Sequence, residues 1–174
     1  MNNEPQWFAL LTRSNFENVV CERIYQKNFE IFLPTIKAKS RQRNKKVMIS
    51  RPLFPGYLFV KAYSDPQTCV NILKTPGAVR LLGNQDNPVP VPATQIESLK
   101  ILTKSGTDII TGDSAKLKKG TPVMITAGAM IGVKGIFVKY KGKNRVIIDI
   151  DSLKQFAGIE VMEKDIERVP DIML

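Results

Sequence analysis

Apolar and polar positions along the first hundred residues alternate between two periods. Trp7–Leu11 is a short apolar run that reads as a strand. Ser14-Asn15-Phe16-Glu17 has the S-x-x-E form of a capping box, and Phe16, Val20 and Ile24 follow at i+4 spacing, so the pattern predicts an amphipathic helix over 15–27. Phe29–Lys37 reads as extended, since Pro34 disfavours a helix there, and Val47–Ser50 reads as its return strand. Leu53–Val60 is a third apolar run, interrupted by Pro55-Gly56. Asp65-Pro66 places a cap residue before a proline at the first helical position. Cys69, Val70 and Leu73 are the expected buried stripe of that helix, and Thr75-Pro76-Gly77 its stop. Ala78–Leu82 reads as a strand. Thr94-x-x-Glu97 repeats the capping-box form ahead of Ile96, Leu99 and Leu102 or Thr103. The predicted order β-α-β-β-β-α-β-α argues for a mostly antiparallel sheet with helices packed on it, an α+β domain over residues 5–103.

Residues 104–116 mix small and polar types without a period and read as a linker. Beyond them the period becomes two, at Val123/Ile125, Ile136/Val138, Val146/Ile148/Ile150 and Ile159/Val161, with Gly128, Gly132, Gly142 and Gly158 between. Short strands broken by glycine turns predict a second, small antiparallel β-barrel over residues 117–170.

The 174 residues carry 26 Lys+Arg against 16 Asp+Glu, a formal net charge of +10. Lys37, Lys39, Arg41, Arg43, Lys45, Lys46 and Arg51 stand in one stretch without an acid, at the expected tip of the hairpin. Such clustering fits a nucleic-acid partner; a solvated loop and an anionic membrane surface are the other readings. No aromatic residue interrupts 37–51, which argues against base stacking by this loop. The chain has no histidine, which removes imidazole acid–base chemistry, His-containing triads and imidazole metal sites. Cys21 and Cys69 stand alone, so neither a disulfide framework nor a cysteine cluster is expected. Asp149 and Asp151, two apart, read as solvent-facing residues near a turn. Gly128, Gly132 and Gly135 match neither a phosphate loop nor a dinucleotide fingerprint. No catalytic residue, metal or cofactor is expected, and the absence of a leader or spanning segment predicts a cytoplasmic protein.

Three stretches then carry a resemblance. Trp7-Phe8-Ala9-Leu10-Leu11-Thr12 followed by Glu17, Pro52-Leu53-Phe54-Pro55-Gly56-Tyr57-Leu58-Phe59-Val60, and Thr75-Pro76-Gly77-Ala78-Val79 through Pro88-Val89-Pro90 resemble the N-terminal domain of NusG-type transcription factors. Residues 119–146, from Lys-Gly-Thr-Pro-Val-Met-Ile to Gly142-Lys143-Asn144-Arg145-Val146, resemble the KOW motif of the same family. The Leu53–Val60 block, the strand at Ala78–Gly83 and Asn87–Pro92 are similar to the specialised antitermination branch more than to the general factor. The resemblance implies an NGN domain that binds the clamp helices of the RNA polymerase largest subunit, and an SH3-like KOW barrel that recruits a ribosomal protein or a termination factor. It places polymerase contacts on Leu11, Phe54, Tyr57, Phe59 and Leu82, contacts to nucleic acid near the transcription bubble on Lys39, Arg41, Arg43, Lys45 and Lys46, and the KOW partner surface on Met130, Ile131 and Val133. Ordinary core packing is the competing reading for Phe54, Tyr57, Phe59 and Val133. Strand alternation puts Tyr57 and Phe59 on one face and Leu58 and Val60 on the other; helices can cover only one side of such a sheet, and the second apolar face is then expected to be exposed or buried by a partner. A KOW-type RNA-binding module using Lys139, Lys141, Lys143 and Arg145 is the alternative from a different class.

Overall fold

The computed structural model describes residues 4–39, 47–84, 87–171 and 174. The chain divides into two compact units, Met1–Leu81 and Leu82–Leu174. The first contains β1 (Gln6–Thr12), α1 (Glu17–Gln26), β2 (Glu30–Phe32), β3 (Thr35–Lys39), β4 (Met48–Pro52), β5 (Tyr57–Ala62), α2 (Pro66–Leu73) and β6 (Ala78–Leu81). Its main antiparallel sheet runs β2-β5-β1-β6, and β3 and β4 form a separate two-stranded ribbon. The expected hairpin is present. What reads as one extended segment from Phe29 is split at Leu33-Pro34, because proline cannot donate to a ladder; β2 joins the sheet and β3 the ribbon.

One face of the sheet carries Phe8, Leu10, Leu58 and Val60, packed with Val20 and Ile24 of α1 and Ile72 of α2. The other face carries Trp7, Ala9 and Phe59, and these are buried too. The expectation that only one face is covered fails at β5, where Leu58, Phe59 and Val60 are buried in succession. Phe59 stacks on Phe32 at 6.2 Å between ring centroids, and Phe54 meets it edge-on at 6.5 Å.

Helix starts and stripes are where the sequence reading slips. A turn closed by the Phe16 N–H donating to the Arg13 carbonyl (3.0 Å), with Asn15 at φ +63°, delays α1 until Glu17. Ser14 therefore does not cap it, and Phe16 is exposed while Val20 and Ile24 are buried. In α2 the expected cap holds: the Asp65 carboxylate accepts from the Thr68 N–H at 2.9 Å. Hydrogen bonding from Thr68 holds the Asp65 carboxyl below its ordinary range, so the stability from this cap is fully present above the ordinary carboxylate range and is lost as pH falls through the lowered value. The buried stripe of α2 is Ile72 with half-buried Cys69; Val70 and Leu73 face solvent. Burial pushes both cysteine thiols up, with the Asp65 charge adding at Cys69, so neither is an activated nucleophile.

The second unit contains β7 (Gly83–Asn84), β8 (Asn87–Pro88), β9 (Pro90–Val91), α3 (Ala93–Lys104), β10 (Ile110–Asp113), β11 (Thr121–Ile125), β12 (Lys134–Tyr140), β13 (Lys143–Ile150), β14 (Gln155–Glu160) and β15 (Ile166–Arg168). The last six form one antiparallel sheet in the order β10-β14-β13-β12-β11-β15. α3 starts at Ala93 after Pro92, so Thr94 lies inside the helix and does not cap it; Glu97 instead pairs with Lys100 at 2.9 Å. Ile96, Leu99 and Leu102 are buried as their spacing predicts. The stretch 104–116, expected to be a linker, includes β10.

Candidate functional site

Within the first unit, the ends of β1 and β5 and the start of the third family-like stretch (Thr75–Leu81) converge at one end of the main sheet. Phe54-Pro55-Gly56-Tyr57 forms a turn closed by the Tyr57 N–H donating to the Phe54 carbonyl at 3.0 Å, with Gly56 at φ +85°. Proline second and a left-handed glycine third is the residue pattern of a type II turn. The turn is held from two sides. The Gly56 N–H donates to Glu17 Oε1 at 2.7 Å, and the Gly56 carbonyl accepts from the Thr12 N–H at 2.8 Å. One residue on, the Arg13 N–H donates to the Gly77 carbonyl at 2.8 Å, which joins the 75–77 turn to the end of β1. That second turn is also tied to α1, where Arg23 Nη1 donates to the Pro76 carbonyl at 2.9 Å and Lys27 Nζ to Thr75 Oγ1 at 2.9 Å.

Glu17 therefore has a role the capping reading misses. As the first residue of α1 it is free of cap geometry, and its buried carboxylate holds the turn that precedes Tyr57. Glu17→Ala is expected to cost about 2 kcal/mol, because it leaves the Gly56 N–H without its charged acceptor, while Glu17→Gln retains most of that stability. Urea unfolding of both variants checks this.

The turn sets a row across the sheet. In register, Tyr57 of β5 lies opposite Leu11 of β1, and Leu11 lies opposite Arg80 of β6. Tyr57 and Leu11 are half-buried and Arg80 is exposed. The row is an aromatic, an aliphatic and a cation side by side, at the open margin of the face whose interior holds Ala9 and Phe59. Phe54, Phe59 and Leu82 are at 0%, 0% and 6% exposure, so of the five expected contact residues only Leu11 and Tyr57 are accessible in this conformation. The difference is one of depth: Phe59 sits two residue pairs further along the β1–β5 ladder than Tyr57, where Phe32 stacks on it and Phe54 meets it edge-on. Arg80 escapes the sequence reading because its place beside Leu11 depends on the β1–β6 register, which shifts between Leu11 and Thr12.

In the β3–β4 ribbon, Lys37 and Lys39 share one face and are exposed, opposite Ser50 and Met48, so neither faces an acid across the ladder. Arg41, Arg43, Lys45 and Lys46 lie outside the described residues. In the second unit the loop before β12 divides its expected contacts. Ile131 is 60% exposed, Met130 is half-buried and Val133 is fully buried, a core residue. Met130 lines an open depression of about 350 Å³ with Val161 and Met162, rimmed by Glu160 and Asp165; Met162, itself 64% exposed, carries no signal in the strand periodicity. The basic residues of the alternative RNA-binding reading are partly engaged: Lys143 pairs with Glu160 at 2.6 Å, and buried Arg145 donates to the Tyr140 carbonyl at 3.4 Å.

A family model described as "Transcription termination factor nusG" matches residues 5–100, more than half of the chain and all three stretches that converge here. The chain belongs to the NusG family. The NusG protein of Streptococcus pyogenes, a transcription termination/antitermination protein, is 26% identical over 170 residues, covering 90% of this chain and 93% of that one. Helicobacter pylori NusG is 24% identical over 175 residues, covering 94% and 98%. A solved structure of Thermotoga maritima NusG, titled for its domain interaction, superposes with a TM-score of 0.54 at 20% identity over 96% of this chain and 98% of that one, a likeness of fold. The chain is thus a NusG-type transcription termination/antitermination factor with an α+β fold, whose described residues form antiparallel sheets and three α-helices. Among the described residues no helix is long and apolar enough to cross a membrane.

Proposed function

We propose that the protein binds RNA polymerase through the Tyr57–Leu11–Arg80 row and changes how the elongating enzyme responds to pauses and terminators, with suppression of termination as the favoured sign. The single observation that carries the reading is the convergence of the family's three sequence stretches on that one partly open row. An aromatic anchor beside an aliphatic residue and a cationic rim suits a pair of charged helices, such as the clamp helices of the polymerase largest subunit. Residues 5–103 are the proposed NGN-like domain and 117–170 the proposed KOW domain, an SH3-like barrel. Its docking surface for a ribosomal protein or termination factor is Met130, Ile131 and Met162, with Val133 supporting them from the core.

The β3–β4 ribbon, through Lys37, Lys39 and the basic run that follows, would track phosphates of nucleic acid near the transcription bubble without reading sequence. Neutralising about four phosphates gives a slope of roughly −3 to −3.5 in log affinity against log salt. Replacing Lys39, Arg41, Arg43, Lys45 and Lys46 by glutamine is expected to flatten that slope by at least half in titrations of the polymerase–nucleic-acid complex, leaving capture of free polymerase unchanged. The function itself is tested by in vitro transcription across a pause site and a terminator with and without the protein. Increased read-through supports the reading, and an unchanged product pattern opposes it.

A further inference from the structure

Five residues, 105–109, separate the end of α3 from β10, because the stretch that reads as a linker is partly zipped onto the sheet. β10 pairs with β14 in the register Ile110↔Gly158, Thr111↔Ala157, Gly112↔Phe156 and Asp113↔Gln155, and it is an edge strand of that sheet. It is shaped for this seat. A side chain at Gly112 would come within 2.7 Å of the Phe156 ring, so only glycine lets the strand lie over it. Ile110 and Leu117 pack on the cluster of Val138, Ile147 and Phe156. Just past the strand, the Ser114 N–H donates to the Lys154 carbonyl at 3.2 Å and the Ser114 hydroxyl donates to Asp149. Yet no residue of β10 is fully buried, and Thr111 and Asp113 are exposed, the profile of a segment that opens before the core does.

The short tether has a consequence for α3. The buried Ser98 hydroxyl accepts the Lys134 N–H at 3.0 Å, and Ile101 lies 3.7 Å from where a side chain at Gly132 would begin, so α3 rests on the start of β12. The geometry points to β10 as a detachable strap that sets the reach of the C-terminal sheet: zipped, it holds α3 on β12; peeled away, it frees the sheet to leave the helix. With β10 released, the tether runs from residue 105 to residue 120 and is about three times as long. The effective concentration of α3 at its seat then falls about sixfold, by the three-halves power of length. Peeling uncovers Phe156, so the zipped state dominates at rest.

Amide hydrogen exchange by NMR on the full chain tests this, because the Lys134 amide donates to Ser98 and so reports α3 directly. In the unaltered protein, amides of 110–113 should exchange faster than those of Val146 and Ile148. Gly112→Val should remove protection from 110–113 and raise the Lys134 exchange rate about sixfold while Val146 and Ile148 stay protected. An insertion of about eleven Gly and Ser residues after Gly106, where a side chain would meet nothing within 4 Å, should raise Lys134 exchange equally with β10 still zipped, and it keeps the test available if the valine variant does not fold. Protection of 110–113 equal to that of Val146, or a Lys134 rate unchanged by the insertion, would overturn the proposal.

Discussion

Tyr57→Ala is expected to weaken capture of core RNA polymerase at least about thirtyfold while changing stability by no more than about 1 kcal/mol. The asymmetry follows from its position. The ring is half-buried at the open margin of the sheet, beside Leu11 and in line with Arg80, so truncation removes partner contact more than internal packing. A loss of about 2 kcal/mol is the lower bound for an aromatic hot spot, and it corresponds to that thirtyfold change. Fluorescence anisotropy with labelled protein and core polymerase measures the affinity. Urea unfolding followed by Trp7, the chain's single tryptophan and a buried residue of the same unit, measures the stability. Leu11→Ala and Arg80→Ala should weaken capture in the same direction and by less.

Phe59→Ala should behave in the opposite way. Its ring has no exposure, stacks on Phe32 and receives the edge of Phe54, so removing it leaves a cavity in a rigid aromatic cluster. Large-to-small changes of this kind cost about 3–5 kcal/mol, a large share of the stability of a domain this size. Polymerase capture should then fall only in proportion to the folded fraction, and Phe59→Leu should recover most of both quantities. A stable Phe59→Ala variant with lost capture would return Phe59 to the docking surface.

The contrast between these neighbours shows where sequence reasoning stops. Alternation along β5 correctly separates Tyr57 and Phe59 from Leu58 and Val60, because side-chain direction is a local property of a strand. How deep each residue lies is not local: it depends on which strand is opposite and on what covers the sheet, and here both faces are covered. The same division explains the helices. Asp65-Pro66 is a local cap signal and holds, whereas Ser14 and Thr94 fail as caps because a turn at Asn15 and a start after Pro92 shift the first helical residue. Glu17 was legible as a marked residue and illegible as the acceptor for Gly56, thirty-nine positions away. β10 hides for a further reason: its pairing rests on Gly112 lacking a side chain against Phe156, which leaves no periodic trace.

A photo-crosslinking amino acid placed at position 57 reports polymerase docking at this row. With core polymerase present, a single dominant adduct to the largest subunit is expected, mapping to its clamp helices and lost on adding excess unlabelled protein. An adduct that forms instead from a crosslinker at Ile131 or Lys39, with position 57 silent, would contradict it.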